Sequence, residues 1–268
     1  LALCYNNMAA LESQRQNWSE TIAWHQRAIE LQEQMTRKAP NTVRHRSDLA
    51  VSLNNLGVAY CRAQRPADAD VVFERARTLL STLAQDYPDE LAYSSSWAAL
   101  LNNQAMALAE AGRHEDALQL YPTAIESQRE SWKRLPHAMR EPLSKMYYNY
   151  GQSLKLTGQF GRAMDVALAR REVWQGDGQR LFGVAIELAE IARLSAANAN
   201  GIGDDRMHEL NEEIIATLQN AHDGGWRDQD SLASDERFAF LKEDSKFERL
   251  IAGSHRAPLR QAGGAGVS

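Results

Sequence analysis

Apolar positions along the chain recur at three- and four-residue intervals, and they do so in paired blocks. Leu49, Leu53, Leu56 and Tyr60 share one such face, which predicts a helix. A short break follows at Ala63-Gln64-Arg65-Pro66. A second face then runs through Ala69, Val72, Phe73, Ala76, Leu79, Leu80 and Leu83. Pro66 suits a helix start, because the first N–H of a helix has no intrahelical partner to lose. Tyr87-Pro88-Asp89 closes the pair. The next block repeats the arrangement with Leu101, Ala105 and Leu108, the break Ala111-Gly112-Arg113, and then Ala117, Tyr121, Ala124 and Ile125.

The blocks share a period. Asn-Asn stands at 6–7, 54–55 and 102–103, and proline at 40, 88 and 136, each set stepping by 48 residues. A fourth copy follows at 46: Tyr148-Asn149 takes the place of Asn102-Asn103, and Gly158 follows Gly112 by the same step. Independent marks on one period predict tandem helical hairpins, each packing on its neighbours. The first copy carries Glu12 in place of the aromatic Tyr60 of the second, and Thr21 where the others have alanine, which suits a capping or frayed unit. The fourth carries Arg170 at its last small position.

Farther on, Leu181, Val184, Ala185, Leu188, Ile191, Ala192 and Leu194 mark an amphipathic helix over 181–198, broken by Gly201 and Gly203. Met207 to Ala221 reads as another, with Leu210, Ile214, Ile215 and Leu218 on one face. The expected organisation is four hairpins over 1–178, a degenerate fifth over 179–222 and a capping segment over 223–254. A Gly- and Ala-rich tail over 255–268 is expected to be disordered.

Composition narrows the functional classes. Of 268 residues, 44% are hydrophobic and 24% charged, which is ordinary for a globular chain with a substantial core. The net charge of −5 and pI near 5.9 lack the basic excess of a nucleic-acid binder. No run of 18 apolar residues suggests membrane insertion in this segment. The chain opens on Leu1, inside a helical pattern, without a basic region and apolar leader. The expectation is a fragment of a longer cytoplasmic protein, without a signal peptide. Cys4 and Cys61 fall about a repeat apart in similar helices and read as reduced thiols. The seven histidines show no metal-ligand spacing, and no cofactor is expected.

The second copy supplies Leu53, Leu56, Gly57, Tyr60, Ala69, Phe73 and Ala76. At these spacings it resembles the tetratricopeptide repeat, in which small residues let two helices approach and aromatic ones fill the space beside them. The period is longer than the usual 34 residues. The extra length falls at the end of the second helix and before the next first helix. Long units with Leu53-Asn54-Asn55-Leu56-Gly57 and Leu101-Asn102-Asn103 are similar to the arrays of kinesin light chains. The likeness covers about residues 2 to 178. It implies an all-α, right-handed superhelical solenoid of antiparallel helix hairpins that binds a protein or extended peptide in its concave groove. Residues from Gly224-Gly225-Trp226 through Leu232, Asp235, Phe238, Leu241, Asp244 and Phe247 resemble the extreme C-terminus of planctomycete-type bacterial serine/threonine kinases. That likeness implies a non-catalytic region of such a kinase, with its catalytic domain upstream.

The resemblance places one face of each first helix on the groove, and Asn7, Asn55, Asn103 and Asn149 occupy the same position there. An asparagine amide both donates and accepts, so it can pair with one peptide unit of an extended ligand without reading its side chain. The alternative is that each amide satisfies local backbone or water. By similarity, Asn6, Asn54, Asn102 and Tyr148 stand beside this row, with Val58, Met106 and Gln152 one turn on. Arg62, Lys145 and Lys155 would favour an acidic ligand, unless they belong to a solvated charged face. Asn6 and Ala10 replace the Lys and Asn that a carboxylate clamp for chaperone C-termini needs, so no such binding is expected.

Several other motifs lack their context. His45-Arg46-Ser47-Asp48 with Asn54 echoes a kinase catalytic loop but lies within a repeat, and Ser47 or Asp48 reads as a helix N-cap. Gly201-Ile202-Gly203-Asp204-Asp205 has no preceding strand. Asp228, Asp230 and Asp235 lack the calcium-loop glycine and terminal glutamate. Asn17-Trp18-Ser19 is a sequon only in a secreted chain. The expected function is polypeptide binding, with no catalytic residue in this segment. The rival reading is a structural module that self-associates through its convex face or ends, and the sequence leaves the oligomeric state open.

Overall fold

The structure is a computed structural model that describes residues 1–254, apart from the side chains of residues 229–231, 253 and 254. The tail expected over 255–268 lies outside the described residues. Among those described, every regular element is a helix. The chain divides into two compact units, Leu1–Val166 and the residues from Ala167 onward.

The first unit is built from α1 (Ala2–Gln14), α2 (Trp18–Lys38), α3 (Val43–Arg62), α4 (Pro66–Asp86), α5 (Leu91–Glu110), α6 (His114–Arg134) and α7 (Pro136–Leu156). The start of α8 (Phe160–Val173) also belongs to it. Helices α1 and α2, α3 and α4, and α5 and α6 pair as antiparallel hairpins. Each second helix packs on the next first helix, and α3 with α5 and α5 with α7 also lie side by side. Close approach within hairpins comes from the small positions. A Cβ on Gly57 would stand 2.5 Å from Phe73 Cε1, so only glycine fits above that ring. Phe73 and Tyr121 are buried at the matching aromatic site of their hairpins, and His25 fills it in the first.

The four hairpin turns share one backbone solution. Gln16, Gln64, Gly112 and Gly158 all adopt positive φ, between 58° and 78°. The following N–H then bonds the carbonyl five residues back: Asn17 to Glu12, Arg65 to Tyr60, Arg113 to Leu108 and Gln159 to Leu154. This capping geometry satisfies carbonyls that a helix end leaves without partners. The longer period has its source in second helices of 21 residues and four-residue connections at 39–42 and 87–90. The step of 46 arises because α7 begins directly on Pro136, whereas Pro40 and Pro88 lie in connections before α3 and α5. One expectation fails here. Helix α3 starts at Val43, so Ser47 and Asp48 lie a turn inside it, and Thr42 precedes it without a side-chain cap bond.

The second unit holds the end of α8, then α9 (Gly178–Ala196) and α10 (Asp204–Asp223), an antiparallel pair. Helix α11 (Gln229–Ser234), a 3₁₀ turn (Glu236–Leu241) and α12 (Ser245–Ser254) follow. Leu181, Val184, Leu188, Leu210, Ile214 and Leu218 form its core with Phe238 and Phe247. The ends of α9 and α10 touch backbone to backbone: Gly178 N–H bonds Gly224 C=O at 3.0 Å, and Trp226 stacks on Phe182 at 4.1 Å. Arg170, at a site that is small elsewhere, bonds Glu187 at 2.5 Å, and Glu187 is 3% exposed. Arg171 bonds Glu213 at 2.5 Å and Thr217 at 3.2 Å.

Candidate functional site

Helices α3, α5 and α7 lie side by side and carry Asn55, Asn103 and Asn149 at equivalent positions, all half-buried. Asn7 on α1 is exposed. The partner residue in each doublet sits deeper: Asn54 is 8% and Asn102 5% exposed, Asn6 is half-buried, and Tyr148 is exposed. This depth difference follows from helical geometry, because adjacent residues point about 100° apart.

The two members of the doublet meet across repeats. Asn149 Nδ2 donates to Asn102 Oδ1 at 3.1 Å, and Asn103 Nδ2 reaches Asn54 Oδ1 at 3.5 Å. Asn149 also donates to Met106 Sδ at 3.1 Å. The buried amide of one hairpin is therefore satisfied by the half-buried amide of the next, as a polar group in a packed seam requires. This arrangement commits an N–H of Asn103 and Asn149 and leaves their own Oδ1 atoms outside those bonds. In the first hairpin the pattern changes. Asn6 Nδ2 donates to the buried Ser52 hydroxyl at 2.8 Å, and Asn6 Oδ1 lies 3.0 Å from His25 Nδ1. Burial lowers the His25 pKa to about 4, so the ring is neutral near pH 7.

The basic candidates fall into different surroundings. Arg62 pairs with Glu110 at 2.9 Å, both partly exposed. Glu110 stands one 48-residue period after Arg62, so the repeat register itself signalled this opposite-charge pair, which spacing within one hairpin misses. Lys145 is exposed, and Lys155 is 7% exposed. Val58 and Met106 line a small depression of about 30 Å³ between α3 and α5, beside Asn103 and the Arg62–Glu110 pair. Cys61 borders it with its thiol pKa pushed up to about 11, by burial first and by Asp70 and Glu110 next, so it stays a neutral thiol. Among the described residues, no group of three or more His, Cys, Asp or Glu is placed to hold a metal ion, and no helix is long and apolar enough to cross a membrane.

The face is thus a row of amides set between apolar and paired charged side chains. The tetratricopeptide repeat family matches residues 1–35, 49–83 and 97–131, which are the first three hairpins. Those three hairpins are tetratricopeptide-type units, and the chain shares its fold with solved arrays of kinesin-light-chain type. An array of nearly identical kinesin-light-chain TPR-like repeats from Podosopora anserina is 14% identical, covering 80% of this chain and 93% of that one with a TM-score of 0.57. BtubC (BKLC) from P. vanneervenii is 18% identical, covering 94% of this chain and 98% of that one with a TM-score of 0.52. At such identities the likeness is one of fold. No curated protein matches the chain in sequence.

Proposed function

We propose that the first unit binds an extended segment of another polypeptide across α1, α3, α5 and α7, through Asn7, Asn55, Asn103 and Asn149. The observation that carries this reading is the common register of the four amides on helices of which α3, α5 and α7 lie side by side. Their spacing repeats along the array, as the peptide units of an extended ligand do, and each amide can accept from one ligand N–H. Asn54 and Asn102 act behind the row, fixing the amides of Asn103 and Asn149 rather than touching the ligand, while Asn6 is held by Ser52 and His25. Tyr148 and Lys145 are exposed beside Asn149 and would select a ligand side chain there. Arg62 is already paired, so an acidic ligand group would have to displace Glu110.

The module is read as non-catalytic and cytoplasmic, and as the interaction region of a larger signalling protein of the bacterial serine/threonine kinase type. That last assignment is supported by the resemblance of the closing segment alone, and the coding sequence upstream of Leu1 tests it.

The functional test is affinity capture from source-cell lysate, comparing the chain with a variant carrying Asn7, Asn55, Asn103 and Asn149 all changed to Ala. The reading predicts partners retained by the first and lost by the second, with circular dichroism showing both folded. Equal partner sets would contradict it and favour self-association or a scaffold role for other surfaces.

A further inference from the structure

The depression between α3 and α5 is small and sharply bounded. Val58, Met106 and Ala107 give it an apolar lining, to which Asn103 and the Arg62–Glu110 pair add polar atoms. Its volume of about 30 Å³ is close to the share of one molecule in liquid water, so it has room for about one or two heavy atoms. Met106 sets that size. The residue at this register is Ala10 in α1, Val58 in α3 and Gln152 in α7, so α5 carries the longest apolar side chain of the set. A methionine ordinarily adapts to whatever packs on it, because its chain is unbranched and flexible. Here the thioether is held. Asn149 Nδ2 donates to Met106 Sδ at 3.1 Å, and Asn102 Nδ2 does so at 3.6 Å. One amide comes from α7 and the other from the preceding turn of α5 itself. The asparagine doublets therefore fix the Met106 side chain as well as one another.

The polar neighbours restrict the charge of an occupant. Arg62 and Glu110 compensate each other, so a charged group beside them meets a like charge as well as an opposite one. Asn103 keeps its Oδ1 outside the bond to Asn54 and can accept from a ligand N–H. The ligand residue that donates to Asn103 carries its side chain beside the depression. We propose that this depression is a size-selective subsite of the groove. It takes the side chain of an alanine or serine of an extended polypeptide and excludes larger or charged ones, with Met106 setting the limit. This subsite rests on binding across the first helices and adds a sequence requirement at one position of the ligand.

The test is selection from a phage-displayed library of linear peptides on the full 268-residue chain. It is repeated on Met106→Ala, on Val58→Phe and on the variant with all four row asparagines changed to Ala. On the unchanged chain, the selected peptides should share one position restricted to alanine, serine or glycine. Met106→Ala should admit valine, leucine and methionine at that position, and Val58→Phe should narrow it to glycine. A synthetic selected peptide given leucine there should bind the unchanged chain roughly tenfold more weakly, the scale of overfilling a packed site, and should recover on Met106→Ala. The two shifts run in opposite directions, so loss of fold in either variant does not imitate them. Identical residues at that position on Met106→Ala and on the unchanged chain would overturn the subsite. Peptides lost with the four asparagines but showing no size-restricted position would overturn it too, and would leave the groove reading standing. Selection of no peptide by the unchanged chain would remove both.

Discussion

His25 takes the core place that Phe73 and Tyr121 take in later hairpins, and it does so as a neutral ring bonded to Asn6. Its folded pKa of about 4 lies below the ordinary 6.5. The unfolded chain therefore binds the proton more tightly. Stability from this residue is fully present above pH 6.5 and is lost as pH falls toward 4, by about 3 kcal/mol in all. Urea titrations at a series of pH values, on the chain and on His25→Phe, measure this. The variant should show a shallower loss between pH 6.5 and 4, and identical slopes would disprove the assignment. The asparagine doublets make a second prediction at this scale. Removing the Asn149 amide with Asn149→Ala leaves Asn102 Oδ1 buried without its donor. The expected cost is about 1–2 kcal/mol in the same titration, even though Asn149 is only half-buried. Neither feature was legible in the sequence. The register placed the two members of each doublet on one helix, but Asn149 and Asn102 pair between different hairpins, and His25 was masked by residues that departed from the repeat around it.

The helices and their breaks were readable because apolar periodicity and turn residues agree. Gly112 and Gly158 marked two of the left-handed turns, while Gln16 and Gln64 reach the same conformation without a glycine and so gave no signal. The placing of Ser47 and Asp48 at a helix start failed for a related reason. The extra length of this repeat extends α3 backward by a full turn, and a cap-forming residue type inside a helix looks the same as one at its end. Glycines in α9 separate two roles that sequence cannot. A Cβ at Gly178 would meet Ala221 O and Trp226 N, both at 2.4 Å, whereas one at Gly183 meets nothing within 4 Å. Thermal unfolding should show Gly183→Ala raising stability by about 1 kcal/mol, the helix-propensity difference. Gly178→Ala should lower it, because two backbones must separate. Equal effects of the two changes would show that α9 and α10 do not cross at Gly178.

Across the array, charged side chains also link successive hairpins, Arg75 to Glu33 at 2.5 Å and Arg113 to Asp70 at 3.4 Å, and Arg134 ties the end of α6 to Asp89 in the connection before α5 at 3.1 Å. These pairs are solvent-exposed and contribute little, so the buried seams between neighbours carry the stability of the first unit. The period of 48 residues exposed that architecture before any coordinate did. It could not show which face a ligand uses, since a row of equivalent residues arises on every face of a repeat. Calorimetric titration with a captured polypeptide separates the faces, using Asn55→Ala and Asn103→Ala against Val71→Ser, an exposed change on α4. Binding across the first helices predicts that each asparagine change weakens affinity by about fivefold to tenfold, as the loss of one hydrogen bond does, while Val71→Ser leaves it unchanged. Undiminished affinity in both asparagine variants, with a loss in Val71→Ser, would contradict the account and move recognition to the second helices.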